Sequence, residues 1–179
     1  IAAIKSGDAE GIILVTNVPE GVVVVDEMAK QNVASLPVIS HWGIASGQFI
    51  SALANPTAGY DISVLQTFHF SYQKNRKAKQ LLDAYYGKYG LIDIHAIGGV
   101  TGLAHAYDLI HLLAAAADKA GSIETDKLRQ GLESLENIEG AVKNYDVPFT
   151  AKRHDALWSK DYFMTKYNEK GHLVTVGQK

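Results

Sequence analysis

Unbroken apolar runs and strict alternation divide the first seventy residues of this chain into short pieces. Residues 11–17, GIILVTN, are apolar without alternation, the pattern of a strand covered on both faces. The run ends in NVPEG, where Pro19 suits the first turn of a helix and Glu20 its positive end. The stretch that follows, VVVVDEMAKQN, reads two ways. The consecutive valines favour a second strand, with a hairpin closed by Pro-Glu-Gly, whereas the DEMAKQ tail favours helix. Residues 36–40 form another short buried strand, and 47–54 allow about two turns of helix before Asn55-Pro56 ends them. In YDISVLQTFHF, residues 60–70, alternation puts Ile62, Val64, Gln66, Phe68 and Phe70 on one face, which makes this the clearest strand.

Beyond residue 74 the period changes. In NRKAKQLLDAYYGKYG the apolar stripe is Ala78, Leu81, Leu82, Tyr85 and Tyr86, Gly87 or Gly90 ends the helix, and the basic cluster at its start is a solvated face. Residues 98–120 form a long, nearly all-apolar helix ending at Gly121, which should be buried on most sides. It approaches membrane-spanning length, but His105, Asp108 and His111 interrupt it, so it reads as the core helix of a soluble protein. Residues 122–135 give another helix, with Ser122 or Thr125 as cap. The tail from Asp161 reads as two strands joined by a turn at 168–171. Strand, helix, strand, helix, strand, helices and a closing hairpin together define an α/β fold with a mostly parallel sheet.

Charge and chemistry narrow the function. The formal net charge of −2 gives neither a nucleic-acid footprint nor a polybasic membrane patch. Cysteine is absent, which removes disulfides, thiol nucleophiles and Cys-based metal sites. His95, His105 and His111 are too far apart in sequence to share a helical face as metal ligands, and no metal site is expected. No GxSxG elbow occurs. The sequence starts at Ile1 without a signal-peptide pattern, as a mature terminus or an internal cut would. GGVTG, residues 98–102, opens a helix; its free N–H groups could hold an anion, or its glycines could let the helix approach a neighbouring backbone.

The strand ends hold the candidate site. Asn17 to Pro19 follow the first strand, His41 and Trp42 the second, and His69 and Phe70 close the third. In a parallel sheet such ends share one rim, where an amide, imidazoles and aromatic rings suit binding more than catalysis.

Six stretches in order, AEGIILVTNVPEG, MAKQNVASLPVISHWG, FISALANPTAGYDISVLQTF, LLDAYYGKYG, HAYDLIHLLAAAADKAGS and YFMTKYNEKGHLVTV, resemble the second half of type I periplasmic solute-binding proteins of the branched-chain amino acid receptor family. The resemblance implies two α/β lobes joined by three crossovers, with the ligand between them. Residues 1–94 would be carboxy-terminal lobe, 95–153 a crossover segment with helices of the amino-terminal lobe, and 154–179 a return with the closing hairpin. The valine run is then helix. Most of the sheet of the amino-terminal lobe would be missing and the chain a fragment. Its long helix would lack its natural partner, so self-association or helix exchange is expected. The implied role is the extracytoplasmic, non-enzymatic binding component of an ABC transporter, partnered by membrane subunits and needing no cofactor. Its ligand would be a small metabolite: a branched-chain or other amino acid, an amide, or an aromatic acid. Asn17, Val18, Pro19, His41, Trp42, Phe70 and Thr101 would contact it. Trp42 stands where amino-acid binders of the family often carry a carboxylate for the ligand ammonium; its indole points instead to a stacked ring or held cation, or else packs in the core. A sensory module on the same fold, and an α/β enzyme using His41 or His69 as base, are the competing readings.

Overall fold

The computed structural model describes residues 1–45, 48–90 and 93–176. In chain order the elements are α1 (Ala2–Lys5), β1 (Ile12–Leu14), α2 (Val18–Lys30), β2 (Val38–His41), β3 (Ile62–Gln66), α3 (Arg76–Tyr89) and α4 (Val100–Ala120). They continue with α5 (Thr125–Glu133), β4 (Ile138–Glu139), β5 (Asn144–Tyr145), β6 (Phe163–Tyr167) and β7 (Leu173–Thr175). The chain forms two compact units, the first from residues 1–66, 93–100 and 162–179, the second from 67–92 and 101–161.

Unit 1 is built on a sheet of order β1-β2-β3-β6-β7. The first three strands are parallel, with Leu14 beside Ser40 and Ser40 beside Val64, and β6 and β7 complete the sheet antiparallel. The valine run is helix. Asn17 is its N-cap, Pro19 and Glu20 lie in its first turn, and Gly21, Val25 and Met28 recur at helical spacing on its buried face. Burying Val25 and Met28 completely outweighs the modest helix cost of β-branched residues. A hairpin of residues 11–25 does not form, because β1 pairs with β2.

Three expectations need correction here. β1 is covered on one face only: Leu14 is buried, whereas its neighbour Ile13 is 82% exposed. The third strand ends at Gln66, because every residue from Gln66 to Phe70 is buried and alternation stops where both faces are covered. Of the helix expected over 47–54, residue 47 lies outside the described residues, and the remainder holds one 3₁₀ turn, Ile50–Ala52. The closing hairpin forms as read, although residues 177–179 lie outside the description. Asn168 makes its turn by accepting, through Oδ1, the N–H groups of Lys170 and His172 at 2.9 and 3.0 Å.

Unit 2 is organised by one buried carboxylate. Asp108, on the covered face of α4, accepts the Ala141 N–H at 2.5 Å, the Val142 N–H at 2.8 Å and the Tyr145 hydroxyl at 2.9 Å. Burial first, and the Asp108 charge second, push the Tyr145 phenol far above its ordinary range, which keeps it a donor. The carbonyls of the same loop are held by other residues. Gln73 Nε2 donates to Val142 O at 2.7 Å, and Asn75 Nδ2 donates to Gly140 O and Ala141 O, both at 3.1 Å. Asn75 also caps α3, accepting the Ala78 N–H at 2.8 Å, and Gly90 ends that helix in the left-handed conformation, φ +66°. The cap of α5 is Glu124 rather than Ser122 or Thr125; Ser122 Oγ accepts the Glu124 N–H instead.

The expectation that α4 is buried on most sides holds for one stripe only. Thr101, Ala104, Asp108, Leu112 and Ala116 are covered, while Leu109 and Ile110 are exposed, Ile110 by 67%. Asp108→Ala would leave two buried N–H groups and a phenol unpaired, and we expect a loss of about 3–5 kcal/mol by chemical denaturation. Tyr145→Phe, which removes one donor, should cost about 1 kcal/mol.

Candidate functional site

The parallel register brings the carboxyl ends of β1, β2 and β3 to one rim of the unit 1 sheet, so that the exits at Leu14, His41 and Gln66 lie side by side. At the first exit the chain turns through Thr16 into α2. Asn17 caps it with an extended backbone, φ −87° and ψ 178°, and its exposed side chain makes no capping bond. Pro19 is exposed and Val18 half-buried. The amide of Asn17 thus stands at the positive end of a thirteen-residue helix without serving that helix.

The second exit is a 3₁₀ turn, Trp42–Ile44, and every residue of it is anchored except the indole. His41 Nδ1 accepts the Gly43 N–H at 3.1 Å, which places the proton of a neutral ring on Nε2. Gly43 lies so close to the Thr16 carbonyl that a β-carbon there would collide with it. Ile44 is fully buried, and its carbonyl accepts the Tyr167 hydroxyl from β6. Burial pushes the Tyr167 phenol far up, so it remains the donor. Trp42 is 41% exposed and meets the His41 ring edge-on, centroids 5.5 Å apart and planes at 90°. The core-packing alternative for Trp42 is therefore set aside: its turn is in the core and its ring is not.

Gly21 closes the arrangement from the helix side. A β-carbon on it would lie 2.9 Å from Ile44 Cγ2 and 3.0 Å from Thr16 Oγ1. Ser40 Oγ donates to Leu14 O at 2.6 Å and ties the two strands together just before their exits. Thr16 Oγ1 is sealed from solvent with no hydrogen-bond partner among the described residues.

Asn17, Val18, Pro19, His41 and Trp42 thus belong to one rim of unit 1. Phe70 and Thr101 belong to unit 2, and both are buried. Phe70 packs edge-on against Phe68 with centroids 4.9 Å apart, and Thr101 Oγ1 donates to Phe68 O at 3.3 Å. His69, also buried, accepts the Ser71 N–H at 3.1 Å. Among the described residues no three His, Asp or Glu side chains gather as a metal site would require. Thr16, Gly43 and Tyr167, which fix the rim, were missed by sequence reasoning. The glycine directly after His41-Trp42 was the available signal for a close backbone approach.

Three parallel strands completed by a closing antiparallel hairpin are the architecture of a periplasmic-binding-protein lobe. The family model described as periplasmic binding protein matches residues 1–172, and the chain belongs to that family. Solved structures agree on the fold. The leucine-binding protein LivK of Thermotoga maritima is similar at 19% identity and a TM-score of 0.77, over 98% of this chain and 46% of that one. LivJ of Streptococcus pneumoniae, a branched-chain amino acid transporter substrate-binding protein in complex with isoleucine, is similar at 22% identity and 0.71, over 98% and 47%. A fatty acid ABC transporter substrate-binding protein of Thermomonospora curvata gives 18% and 0.71, over 99% and 44%. The chain spans about half the length of these structures. No curated protein matches it.

The close approach at Gly43 can be tested by adding one carbon. Gly43→Ala should destabilise unit 1 by about 2–4 kcal/mol in thermal or chemical denaturation, because the obstructing atom is backbone and cannot swing away. Gly87→Ala is the control: it lies inside α3 with open space around it, and should gain about 0.5–1 kcal/mol.

Proposed function

We propose that this chain supplies one jaw of an extracytoplasmic solute-binding protein that delivers a small metabolite to an ABC transporter. The observation that carries the reading is the rim of unit 1, where an exposed amide at Asn17 and an exposed indole at Trp42 stand on anchored backbone. Rigid support with free polar and aromatic tips is the arrangement of a preformed binding surface. Unit 1 corresponds to the carboxy-terminal lobe and unit 2 to helices and a small hairpin of the amino-terminal lobe, with residues 67–92 and 154–161 assigned to the second rather than the first and 95–100 to the first. The opposing jaw is contributed by the portion of the family's length that this chain does not span.

Three of the similar structures carry unlike ligands in their names, leucine, isoleucine and fatty acid, so the family alone does not choose among them. The rim favours a ligand with a planar or cationic face against Trp42 and a hydrogen-bond acceptor toward His41 Nε2 or the Asn17 amide. Amino acids, amides and aromatic acids all meet part of that description. Calorimetry on the parent-length polypeptide with branched-chain amino acids, aromatic carboxylates, their amides and fatty acids is the direct test. We expect saturable heat with one class and a loss of at least about tenfold in affinity for Trp42→Ala. Affinity unchanged in Trp42→Ala, or no heat with any class, removes the assignment.

Taken alone, the chain is expected to self-associate. Ile13, Val15 and Ile39 in unit 1 and Leu109 and Ile110 in unit 2 are exposed apolar side chains that water does not favour. Light scattering at rising concentration should give a mass above that of the monomer, and a constant monomer mass would contradict the expectation.

A further inference from the structure

Unit 1 carries an arrangement of two histidines that the rim does not use. His95 lies on the 3₁₀ turn Ile94–Ala96, and His172 on the last position of the hairpin turn before β7. Their rings stack face to face, centroids 3.8 Å apart and planes within 4° of parallel. Both are half-buried, and both backbones are held independently of the stack. The His95 N–H donates to Asp93 Oδ1 at 2.9 Å, and the Ala96 N–H to Asp93 O at 3.1 Å. The His172 N–H donates to Asn168 Oδ1, its carbonyl accepts the Asn168 N–H at 2.9 Å, and Gly171 packs close against Ile50.

We propose that this stack is a proton-operated latch, holding residues 93–97 on the hairpin turn while at least one ring is neutral and releasing them when both are charged. Two neutral imidazoles, or one charged ring over one neutral ring, attract each other across their faces. Two charged rings at this separation repel, and half-burial keeps water from screening them fully. The surrounding charges offset this only in part. Asp93 is the acid on the His95 side. On the hairpin turn Glu169 and Lys170 are exposed and opposite in sign, and the turn at 50–52 beneath Gly171 carries no titratable group. Burial first, and His172 second, lower the His95 pKa from the ordinary 6.5, against an opposing pull from Asp93. The released segment binds a proton more readily than the docked one. Docking is therefore complete above that ordinary value and weakens as pH falls through and below it. Ile97, almost fully buried at the end of this segment, is the side chain that release would expose.

The test is an NMR titration of the full chain between about pH 8 and pH 5, following the histidine Cε1–H resonances and amide exchange corrected for its intrinsic pH dependence. We expect His95 to titrate below 6.5, and protection at 93–97 to fall by roughly tenfold across the range while that of β2 and β3 stays constant. His172→Phe keeps a ring face and removes the second charge; it should raise the His95 midpoint and shrink the acid loss of protection to the part that burial of His95 alone carries. His95→Phe, the mirror variant, should abolish the loss. Unchanged protection in the wild-type chain overturns the latch, and so does an acid loss that persists in His95→Phe or is undiminished in His172→Phe.

Discussion

Two stretches of backbone touch at the exits of β1 and β2, and the geometry of the rim follows from that contact. Thr16 turns its carbonyl toward Gly43, and Gly21 on the first turn of α2 meets Ile44 and Thr16 from the other side. Neither glycine is there to reach a left-handed conformation; each is there because no β-carbon fits. Once the two exits are pressed together, Ile44 has only the core to enter, and the Tyr167 hydroxyl fixes the carbonyl it leaves behind. Trp42, one residue earlier, is then turned outward by default. The exposed indole is a consequence of what surrounds it being full.

Unit 2 reaches rigidity by a different route. In loop 140–142 the Ala141 and Val142 N–H groups are satisfied by Asp108, the Gly140 N–H by the Lys143 carbonyl, and the carbonyls by Gln73 and Asn75. A buried carboxylate without a cation is costly unless donors surround it, and here three converge on it. Asp108 is thereby explained as a structural residue. The same accounting applies to Thr101, whose hydroxyl bonds the Phe68 carbonyl, and it separates these polar side chains from Asn17 and Trp42 at the rim, which stand exposed.

The sequence made some of this legible. Periodicity located α3, α4 and the closing hairpin nearly to the residue, because helical stripes and turn chemistry are local properties. Asn75, Gly90 and the Asn168 turn do what their positions implied. The valine run remained ambiguous because β-branched propensity and helix-compatible burial conflict there, and only the packing of Val25 and Met28 decides it. Strand ends were misjudged for a related reason. Residues 67–70 keep the alternation of β3 in sequence but are buried without exception, and alternation says nothing once both faces are covered. For the rim, the side chains were visible and their supports were not: Tyr167 is 123 residues from the carbonyl it holds, and Thr16 looks like an ordinary strand residue.

What the sheet leaves exposed bears on the same question. A parallel sheet normally has both faces covered, and the continuous apolar run of β1 was read on that assumption. Here Ile13 and Ile39 lie side by side by register on the uncovered face, Val15 continues the row, and among the described residues β1 is an edge strand with its outer hydrogen-bonding groups unpaired by any strand. Such an edge is a hazard in a finished protein, which would cover or charge it. β1 carries no charge and no proline. The apolar run is therefore the signature of a strand meant to be interior, and this explains how the sequence and the exposure disagree. It also supports the proposed division of labour, since a chain spanning about half of its structural relatives has room in the other half for the cover that both β1 and the Leu109–Ile110 face of α4 lack.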